Sequence, residues 1–270
     1  MKIKIMEKYG LLGKKLGHSL SPYIHDKLFE LSGVHAEYKL YETDNVNDFV
    51  KSSNLDGFNV TIPYKKDVFN LCDNIHKSAK NLGVVNCVDR NFMGYNTDVY
   101  GYTKSVSEIE SDFTCRVLLL GCGGVGSMIA KQYEPCNLWI AIRNLTDSKI
   151  QDIKRQFGEV KVIDIQNISN EKFNLIVNST PVGMFPDVNS SPIEKEVICN
   201  AKSVYDTIYN PYETKLLKYA KECGCKGKNG LDMLVLQAVK SHEYWYGAKF
   251  EEKDIKDIIF YTQKELDKKW

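Results

Sequence analysis

Residues 117–126 read Val117-Leu118-Leu119-Leu120-Gly121-Cys122-Gly123-Gly124-Val125-Gly126, an apolar run that passes into a glycine-rich turn. Gly121, Gly123 and Gly126 have the spacing G-x-G-x-x-G, and residues 127–131 read as the start of a helix. In a strand–turn–helix, such glycines allow a tight turn, close approach of the backbone to a pyrophosphate, and close packing of helix on strand. The helix N-terminus adds free N–H groups and partial positive charge. The stretch therefore predicts a dinucleotide site, with a plain glycine-rich loop as the alternative.

Short apolar segments alternate with helical patterns on both sides of this turn. Strands are predicted at residues 8–13, 36–41, 57–63, 138–142, 160–163, 173–178 and 203–206. A helix is predicted over residues 71–83, a polar loop over 94–101, and two long helices over 231–245 and 252–269. Strands separated by helices imply parallel sheets with right-handed crossovers, so the predicted fold class is α/β.

Length, charge and composition exclude several classes of protein. The 270 residues are enough for two domains, and a formal net charge of +1 argues against a nucleic-acid surface or a polybasic membrane anchor. No apolar run approaches the length of a membrane span, and the first residues lack a signal-peptide core, so a cytoplasmic location is expected. The eight cysteines show no pairing pattern, and nothing near Cys223 and Cys225 completes a zinc site. We expect reduced structural thiols and no metal.

Polar residues follow several predicted strands, which is where open α/β sheets bind ligands. In the N-terminal half these residues are His18, Ser19, Ser21, Asn59, Thr61, Lys65, Asn86, Asn96 and Asp98. Strand alternation places Asn59 and Thr61 on one face, which is either a binding face or a solvated edge. A lone lysine is usually solvated surface, as we expect for Lys66. Lys65 gains significance only beside a carboxylate such as Asp98, a contact that the sequence does not show.

Segments spread over nearly the whole chain resemble, in order, the motifs of shikimate dehydrogenases. The matching segments are Gly17-His18-Ser19-Leu20-Ser21-Pro22-Tyr23-Ile24-His25, Gly57-Phe58-Asn59-Val60-Thr61-Ile62-Pro63-Tyr64-Lys65, Gly83-Val84-Val85-Asn86, Gly94-Tyr95-Asn96-Thr97-Asp98, Asn178-Ser179-Thr180-Pro181-Val182-Gly183-Met184, Tyr205-Asp206-Thr207-Ile208-Tyr209-Asn210-Pro211 and Gly230-Leu231-Asp232-Met233-Leu234-Val235-Leu236-Gln237. The resemblance implies reversible, NADPH-dependent reduction of 3-dehydroshikimate to shikimate, a step of aromatic amino acid biosynthesis. It also implies two domains: a discontinuous α/β substrate-binding catalytic domain (residues 1–101 with 238–270) and a Rossmann-type, parallel-sheet cofactor domain (residues 102–237).

The resemblance assigns the chemistry to Lys65 and Asp98. Hydride transfer belongs to the cofactor, so the protein has one proton to manage. Lys65 is expected to protonate the ketone oxygen in reduction and to accept the hydroxyl proton in oxidation. Asp98 favours the ammonium form of Lys65 and is a candidate for binding a substrate hydroxyl.

The remaining substrate contacts are expected from neutral side chains. Hydroxyls of Ser19, Ser21 and Tyr209 would meet the carboxylate, and Thr61 and the amides of Asn59, Asn86 and Gln237 would meet the ring hydroxyls. Gln237 shares a helical stripe with Met233, Leu234 and Ser241, so a satisfied core glutamine is the alternative reading. Neither His18 nor His25 is expected to be catalytic.

The resemblance places cofactor contacts in five segments. The expected residues are Gly121, Cys122, Gly123, Gly124, Val125, Arg143, Asn144, Thr146, Lys149, Thr180, Met184, Thr207 and Gly230. Arg143 offers a fork of N–H donors to a ribose 2′-phosphate, which favours NADP over NAD. Against this, Leu145 stands where the family usually has arginine, and an inward-turned Asp147 would favour NAD. We expect Asp147 instead to be an N-terminal carboxylate of the following helix.

Two other functions compete with this interpretation. A quinate/shikimate dehydrogenase that uses NAD would share nearly every motif. A ligand-sensing relative without catalysis is less favoured, because a sensor has no need of the Lys65–Asp98 pair. The expected partner is a small-molecule substrate, and the family's fold requires no protein partner, so a monomer or homodimer is expected.

Overall fold

The structure, a computed structural model, describes residues 6–17, 19–168 and 171–269; His18 therefore lies outside the described residues. The chain divides into two compact units, one of Met1–Gly101 with Leu234–Trp270 and one of Tyr102–Met233. The first unit is thus discontinuous in sequence. The long helix Leu231–Tyr246 crosses its second boundary, and the boundary predicted at residue 238 falls in the same helix.

The first unit is built on a mixed six-stranded sheet. Its strands are β1 (Glu7–Gly13), β2 (Ala36–Glu42), β3 (Gly57–Val60), β4 (Asn74–Ile75), β5 (Cys87–Asp89) and β6 (Met93–Tyr95). Its N-terminal part has helices α1 (Ser21–Ser32), α2 (Val46–Ser52), α3 (Lys65–Leu71) and α4 (Lys77–Lys80), and α5 (Asp98–Val106) leads into the second unit. The strand order is β2-β1-β3-β5-β6-β4, with β5 antiparallel to both of its neighbours.

The second unit is a parallel sheet of the Rossmann type. Its elements are β7 (Val117–Leu120), α6 (Gly124–Ala130), β8 (Leu138–Ile142), α7 (Asp147–Phe157), β9 (Lys161–Asp164), β10 (Phe173–Asn178), α8 (Lys195–Ile198), β11 (Ala201–Asp206), α9 (Lys215–Glu222) and β12 (Lys226–Lys228). The strand order is β12-β11-β10-β7-β8-β9. Strands β8 and β9 are added on one side of β7 and strands β10 to β12 on the other, so the switch point lies between β7 and β10. Ligands of open α/β sheets bind at such a switch point, beyond the carboxyl ends of the strands. The α/β fold class and the Rossmann-type sheet are confirmed.

Two long helices, α10 (Leu231–Tyr246) and α11 (Glu252–Lys269), end the chain. No helix within the described ranges is long and apolar enough to span a membrane.

Three local predictions in the first unit are wrong. Strand β3 ends at Val60 rather than at residue 63. The N–H of Tyr64 donates to the carbonyl of Thr61, so the chain forms a turn over residues 61–64. Residues 71–83 contain β4 and the short α4, and the helix of this region is α3, which precedes them. The polar loop expected at residues 94–101 is the end of β6 and the first turn of α5. The backbone N–H groups of Asn96 and Thr97 donate to the side chains of Ser78 and Asn86, so they are hydrogen-bonded within the protein rather than to water.

The expectation of reduced thiols throughout is also wrong. Cys199 and Cys223, whose Cα atoms lie 4.9 Å apart, form a disulfide in the second unit. The two residues are 24 positions apart, and tertiary folding brings the end of α8 to the end of α9. No local sequence pattern records that proximity.

Candidate active site

The first unit contains an ion pair between Lys65 and Asp98. Lys65 is the first residue of α3 and Asp98 the first residue of α5. The Lys65 ammonium donates to Asp98 Oδ2 at 2.5 Å, and the two side chains are only 23% and 16% exposed. The other carboxylate oxygen accepts from Asn86 Nδ2 at 2.8 Å. The pair is thus partly shielded from water and still accessible to a small ligand.

Asn86 connects this ion pair to helix α10. Its side-chain oxygen accepts the N–H of Thr97 at 2.7 Å, and its amide nitrogen donates to Thr97 Oγ1 at 2.9 Å. The Thr97 hydroxyl in turn reaches Gln237 Oε1 at 3.4 Å, and Gln237 Nε2 donates to the carbonyl of Leu234. Lys65, Asp98, Asn86 and Gln237 therefore belong to one polar cluster.

Asn59 is buried beside this cluster with both ends of its amide engaged. Its nitrogen donates to Ser241 Oγ at 2.9 Å and to the carbonyl of Asn86 at 3.2 Å, while its oxygen accepts the Tyr38 hydroxyl at 2.8 Å. These partners fix the orientation of Asn59. Thr61 is half-buried just beyond β3, and its N–H donates to the carbonyl of Leu12 at the end of β1.

Ser19 and Ser21 form a local pair at the start of α1. The N–H of Ser21 donates to Ser19 Oγ at 3.2 Å, Ser21 is buried, and Ser19 is half-buried. One turn further along α1, His25 Nδ1 lies 2.8 Å from His242 Nε2 of α10. Burial lowers the pKa of His242 to about 3, and the same cause lowers the pKa of His25. Two neutral imidazoles therefore join α1, which carries the serines, to α10, which carries Gln237.

In the second unit, the glycine turn has the shape that a pyrophosphate requires. Gly121 has a φ of +87°, which suits glycine, and a Cβ there would lie 2.8 Å from Thr180 Cγ2. A Cβ at Gly126 would lie 2.8 Å from the carbonyl oxygen of Gly121, so the helix packs directly on the turn. Gly123 and Gly124 face open space and are exposed, as are parts of Cys122 and Val125. The turn therefore fits the phosphates of a dinucleotide.

Two cationic side chains, Arg143 just after β8 and Lys149 in the first turns of α7, lie at the same loop. Arg143 is exposed, and Lys149 Nζ donates to the carbonyl of Asn144 at 2.7 Å, which holds its charge over the same loop. Thr146 is the N-cap of α7, and its hydroxyl accepts the N–H of Lys149. Asp147 occupies the first helical turn of α7, as expected. These four predicted cofactor residues, Arg143, Asn144, Thr146 and Lys149, thus lie together.

The remaining cofactor candidates follow β10 and β11, except for Gly230, which lies between β12 and α10. Thr180 donates its hydroxyl to Asn178 Oδ1 at 2.7 Å, and Met184, which is 45% exposed, donates its N–H to the carbonyl of Pro181. The N–H of Thr207 donates to the carbonyl of Asn178, and that of Gly230 to the carbonyl of Ile208. Tyr209 follows in the same segment of the second unit, and burial raises the pKa of its phenol.

The sequence did not identify several buried partners of these residues. Thr97 bridges Asn86 and Gln237, and its one local signal is its place next to Asp98. Tyr38 lies 21 positions from Asn59, and Asp206 lies 28 positions from Asn178, which donates to it. Contacts over such separations leave no periodic pattern, so only the fold reveals them.

Comparison with known proteins places these features in a family. Residues 11–88 match the family model described as the shikimate dehydrogenase substrate binding domain. The chain is 38% identical to the shikimate dehydrogenase (NADP(+)) of Clostridium perfringens, in an alignment that covers 94% of this chain and 97% of that relative.

Solved structures give the same result. The crystal structure of a chorismate mutase/shikimate 5-dehydrogenase fusion protein from Clostridium acetobutylicum is 35% identical and has a TM-score of 0.87, covering 97% of this chain and 99% of that chain. The shikimate 5-dehydrogenase of Thermus thermophilus, solved with NADP(H) and shikimate, is 25% identical with a TM-score of 0.83 and covers 95% of this chain and 100% of that chain. Because a relative of 38% identity aligns with nearly the whole chain, this protein belongs to the shikimate dehydrogenase family.

Proposed function

We propose that the chain catalyses the reversible reduction of 3-dehydroshikimate to shikimate with NADPH, a step of aromatic amino acid biosynthesis. The observation that carries the proposal is the Lys65–Asp98 pair, held in a cluster of otherwise neutral amide and hydroxyl groups. A polyhydroxylated ring needs such donors and acceptors, and a ketone needs one proton donor. The relatives named as NADP(+)-dependent shikimate dehydrogenases support the same assignment.

In this mechanism Lys65 moves the proton. When bound, the reduced nicotinamide supplies the hydride that forms the new C–H bond at the ketone carbon. The Lys65 ammonium donates its proton to the ketone oxygen, which becomes the hydroxyl of shikimate; in oxidation, Lys65 accepts that proton back. Asp98 accepts a hydrogen bond from Lys65 Nζ at 2.5 Å and keeps Nζ in place. Asp98 also has lone pairs left to accept a substrate hydroxyl.

Neutral side chains bind the rest of the substrate. Ser19, Ser21 and Tyr209 donate to the carboxylate, so recognition depends on the placement of hydroxyls rather than on an opposing charge. Thr61 and the amides of Asn59, Asn86 and Gln237 bind the ring hydroxyls. The fixed orientation of Asn59, with Tyr38 and Ser241 at its two ends, supports this role.

The second unit binds NADP through the carboxyl ends of its strands. The glycine turn after β7 holds the pyrophosphate, and Arg143 with Lys149 after β8 binds the 2′-phosphate. The other half of the cofactor would be held by Thr180 and Met184 after β10, Thr207 after β11 and Gly230 after β12. The strand order supports this assignment, because β8 and β10 are the two neighbours of β7 and β11 follows β10.

Two alternatives remain as predictions to be tested. A quinate/shikimate dehydrogenase that uses NAD would need a carboxylate directed at the ribose, and the cationic loop after β8 argues against it. A sensor without catalysis would not need the Lys65–Asp98 pair. A cytoplasmic enzyme acting as a monomer or homodimer is also proposed.

The direct test is to mix the purified protein with 3-dehydroshikimate and NADPH and to identify the product by chromatography and mass spectrometry. Stoichiometric formation of shikimate with oxidation of NADPH is expected. Binding of 3-dehydroshikimate without any turnover would support the sensor instead.

A further inference from the structure

A buried carboxylate lies at the end of β11 without a role in the mechanism above. Asp206 is 0% exposed, and three neutral donors surround it. Its Oδ1 accepts from Asn178 Nδ2 at 3.0 Å and from the N–H of Ile208 at 3.1 Å, and its Oδ2 accepts the Thr214 hydroxyl at 2.6 Å. Each of these bonds has a carboxylate acceptor, which makes it stronger than a bond between neutral groups.

The bonds of Asp206 connect two separate segments of the proposed cofactor site. Asn178, the cross-strand partner of Asp206 at the ends of β10 and β11, uses its other amide atom to accept both the N–H and the hydroxyl of Thr180, at 3.0 and 2.7 Å. The Thr180 hydroxyl then accepts the N–H of Val182 at 3.3 Å. The conformation of the segment from 178 to 182 is therefore built on the Asn178 amide, which Asp206 orients.

The second segment starts at Asp206 itself. The N–H of Ile208 returns to its carboxylate, and the carbonyl of Ile208 accepts the N–H of Gly230. The N–H of Thr207 donates to the carbonyl of Asn178, which ties this segment to the first. Thr180, Thr207 and Gly230 thus take their positions from one network with Asp206 at its centre.

We propose that Asp206 is a positioning residue, which holds residues 180–184 and 207–209 in the arrangement that binds the half of NADP(H) remote from the 2′-phosphate. The proposal rests on the function proposed above. It assigns no proton transfer and no direct cofactor contact to Asp206. A carboxylate and an amide of the same shape both offer an oxygen at the Oδ1 position, so Asp206→Asn should preserve the bonds to Asn178 and Ile208. Asp206→Ala should lose them.

The test measures cofactor affinity without turnover. Dissociation constants for NADPH and for adenosine 2′,5′-bisphosphate, which lacks the nicotinamide half, are determined by calorimetry for wild type, Asp206→Ala and Asp206→Asn. For Asp206→Ala we expect NADPH to bind about tenfold more weakly, because a loosened site has to be ordered on binding. Affinity for adenosine 2′,5′-bisphosphate should change by less than about twofold, since the β7 and β8 loops keep their own bonds. Asp206→Asn should bind NADPH within about threefold of wild type.

Two further variants separate positioning from general destabilisation. Asn178→Ala leaves the bonds of Asp206 to Ile208 and Thr214 in place but removes the acceptor of the Thr180 N–H and hydroxyl. It should therefore also weaken NADPH binding about tenfold, and it tests the proposal if Asp206→Ala does not fold. Asp89 is the matched control in the first unit, because its buried carboxylate also accepts three donors, the N–H groups of Asn91 and Met93 and the Tyr95 hydroxyl. Asp89→Ala should lower thermal stability and leave NADPH affinity within about twofold of wild type.

Equal weakening of NADPH and adenosine 2′,5′-bisphosphate, or wild-type NADPH affinity in folded Asp206→Ala or Asn178→Ala, would overturn the positioning role. Failure of Asp206→Asn to restore affinity would also overturn it. A wild-type protein that binds neither compound would overturn the proposed function itself, and this inference with it.

Discussion

Replacement of Lys65 by methionine removes the proposed proton donor and keeps an unbranched side chain of similar length. In the structure, Lys65 Nζ lies 2.5 Å from Asp98 Oδ2, and both side chains are mostly shielded from solvent. Water is therefore a poor substitute for the ammonium at this position. A positioned general acid contributes about 100-fold to 10,000-fold in rate, so kcat for shikimate oxidation and for 3-dehydroshikimate reduction should fall by at least about 100-fold.

Substrate binding should change far less than turnover. The hydroxyl and amide groups of Ser21, Asn59, Asn86 and Gln237 remain in Lys65→Met, so the dissociation constant for shikimate should rise by no more than about threefold. Steady-state assays of NADPH absorbance give kcat, and calorimetry gives the dissociation constant. This split between kcat and binding distinguishes a chemical role from a loss of substrate affinity.

The neighbouring Lys66 provides the matched control. Lys66 is exposed, and Lys66→Met makes the same change in charge and composition one residue away. Its kcat should stay within about twofold of wild type. If Lys65→Met, with unchanged thermal stability, retained kcat within about threefold of wild type, Lys65 would not be the proton donor.

Three further predictions concern the carboxylate, the 2′-phosphate and pH. Alanine at Ser19 or Ser21 should raise KM for shikimate about tenfold but not for its methyl ester; equal discrimination by mutant and wild type would place the carboxylate elsewhere. Arg143→Ala should reduce the preference for NADP about tenfold and leave NAD turnover unchanged, whereas a wild-type preference for NAD that disappears in Asp147→Ala would reverse the assignment. Burial raises the pKa of Asp206 to about 6, above its ordinary 3.8, so the folded state binds this proton more tightly than the unfolded chain. The stability of wild type relative to Asp206→Asn, measured by urea unfolding, should therefore fall by about 3 kcal/mol as the pH rises through this interval and then level off; a constant difference contradicts this.

Sequence periodicity predicted the elements whose own residues carry a clear pattern. The apolar runs of β7 and β10 and the long α11 are recognisable without tertiary information, and β10 and α11 begin and end at the predicted residues. Strands β4, β5 and β6 have only two or three residues each. Pairing with other strands stabilises them, and the partners of β5 in β3 and of β6 in β4 lie outside a window of local sequence.

The candidate site shows the same division between local motif and tertiary contact. Motif spacing predicted the glycine turn, and the family resemblance predicted Lys65 and Asp98 as site residues. The partners that orient these groups come from distant parts of the chain. Thr97 contacts Gln237 across 140 positions.

We expect the enzyme to act on shikimate with NADP. Steady-state catalytic efficiency should be measured for the four combinations of shikimate or quinate with NADP or NAD. Shikimate with NADP should give the highest efficiency, since the cationic loop after β8 suits a 2′-phosphate and the chain belongs to the shikimate dehydrogenase family. Absence of turnover with every combination, or highest efficiency for quinate with NAD, would contradict the proposed function.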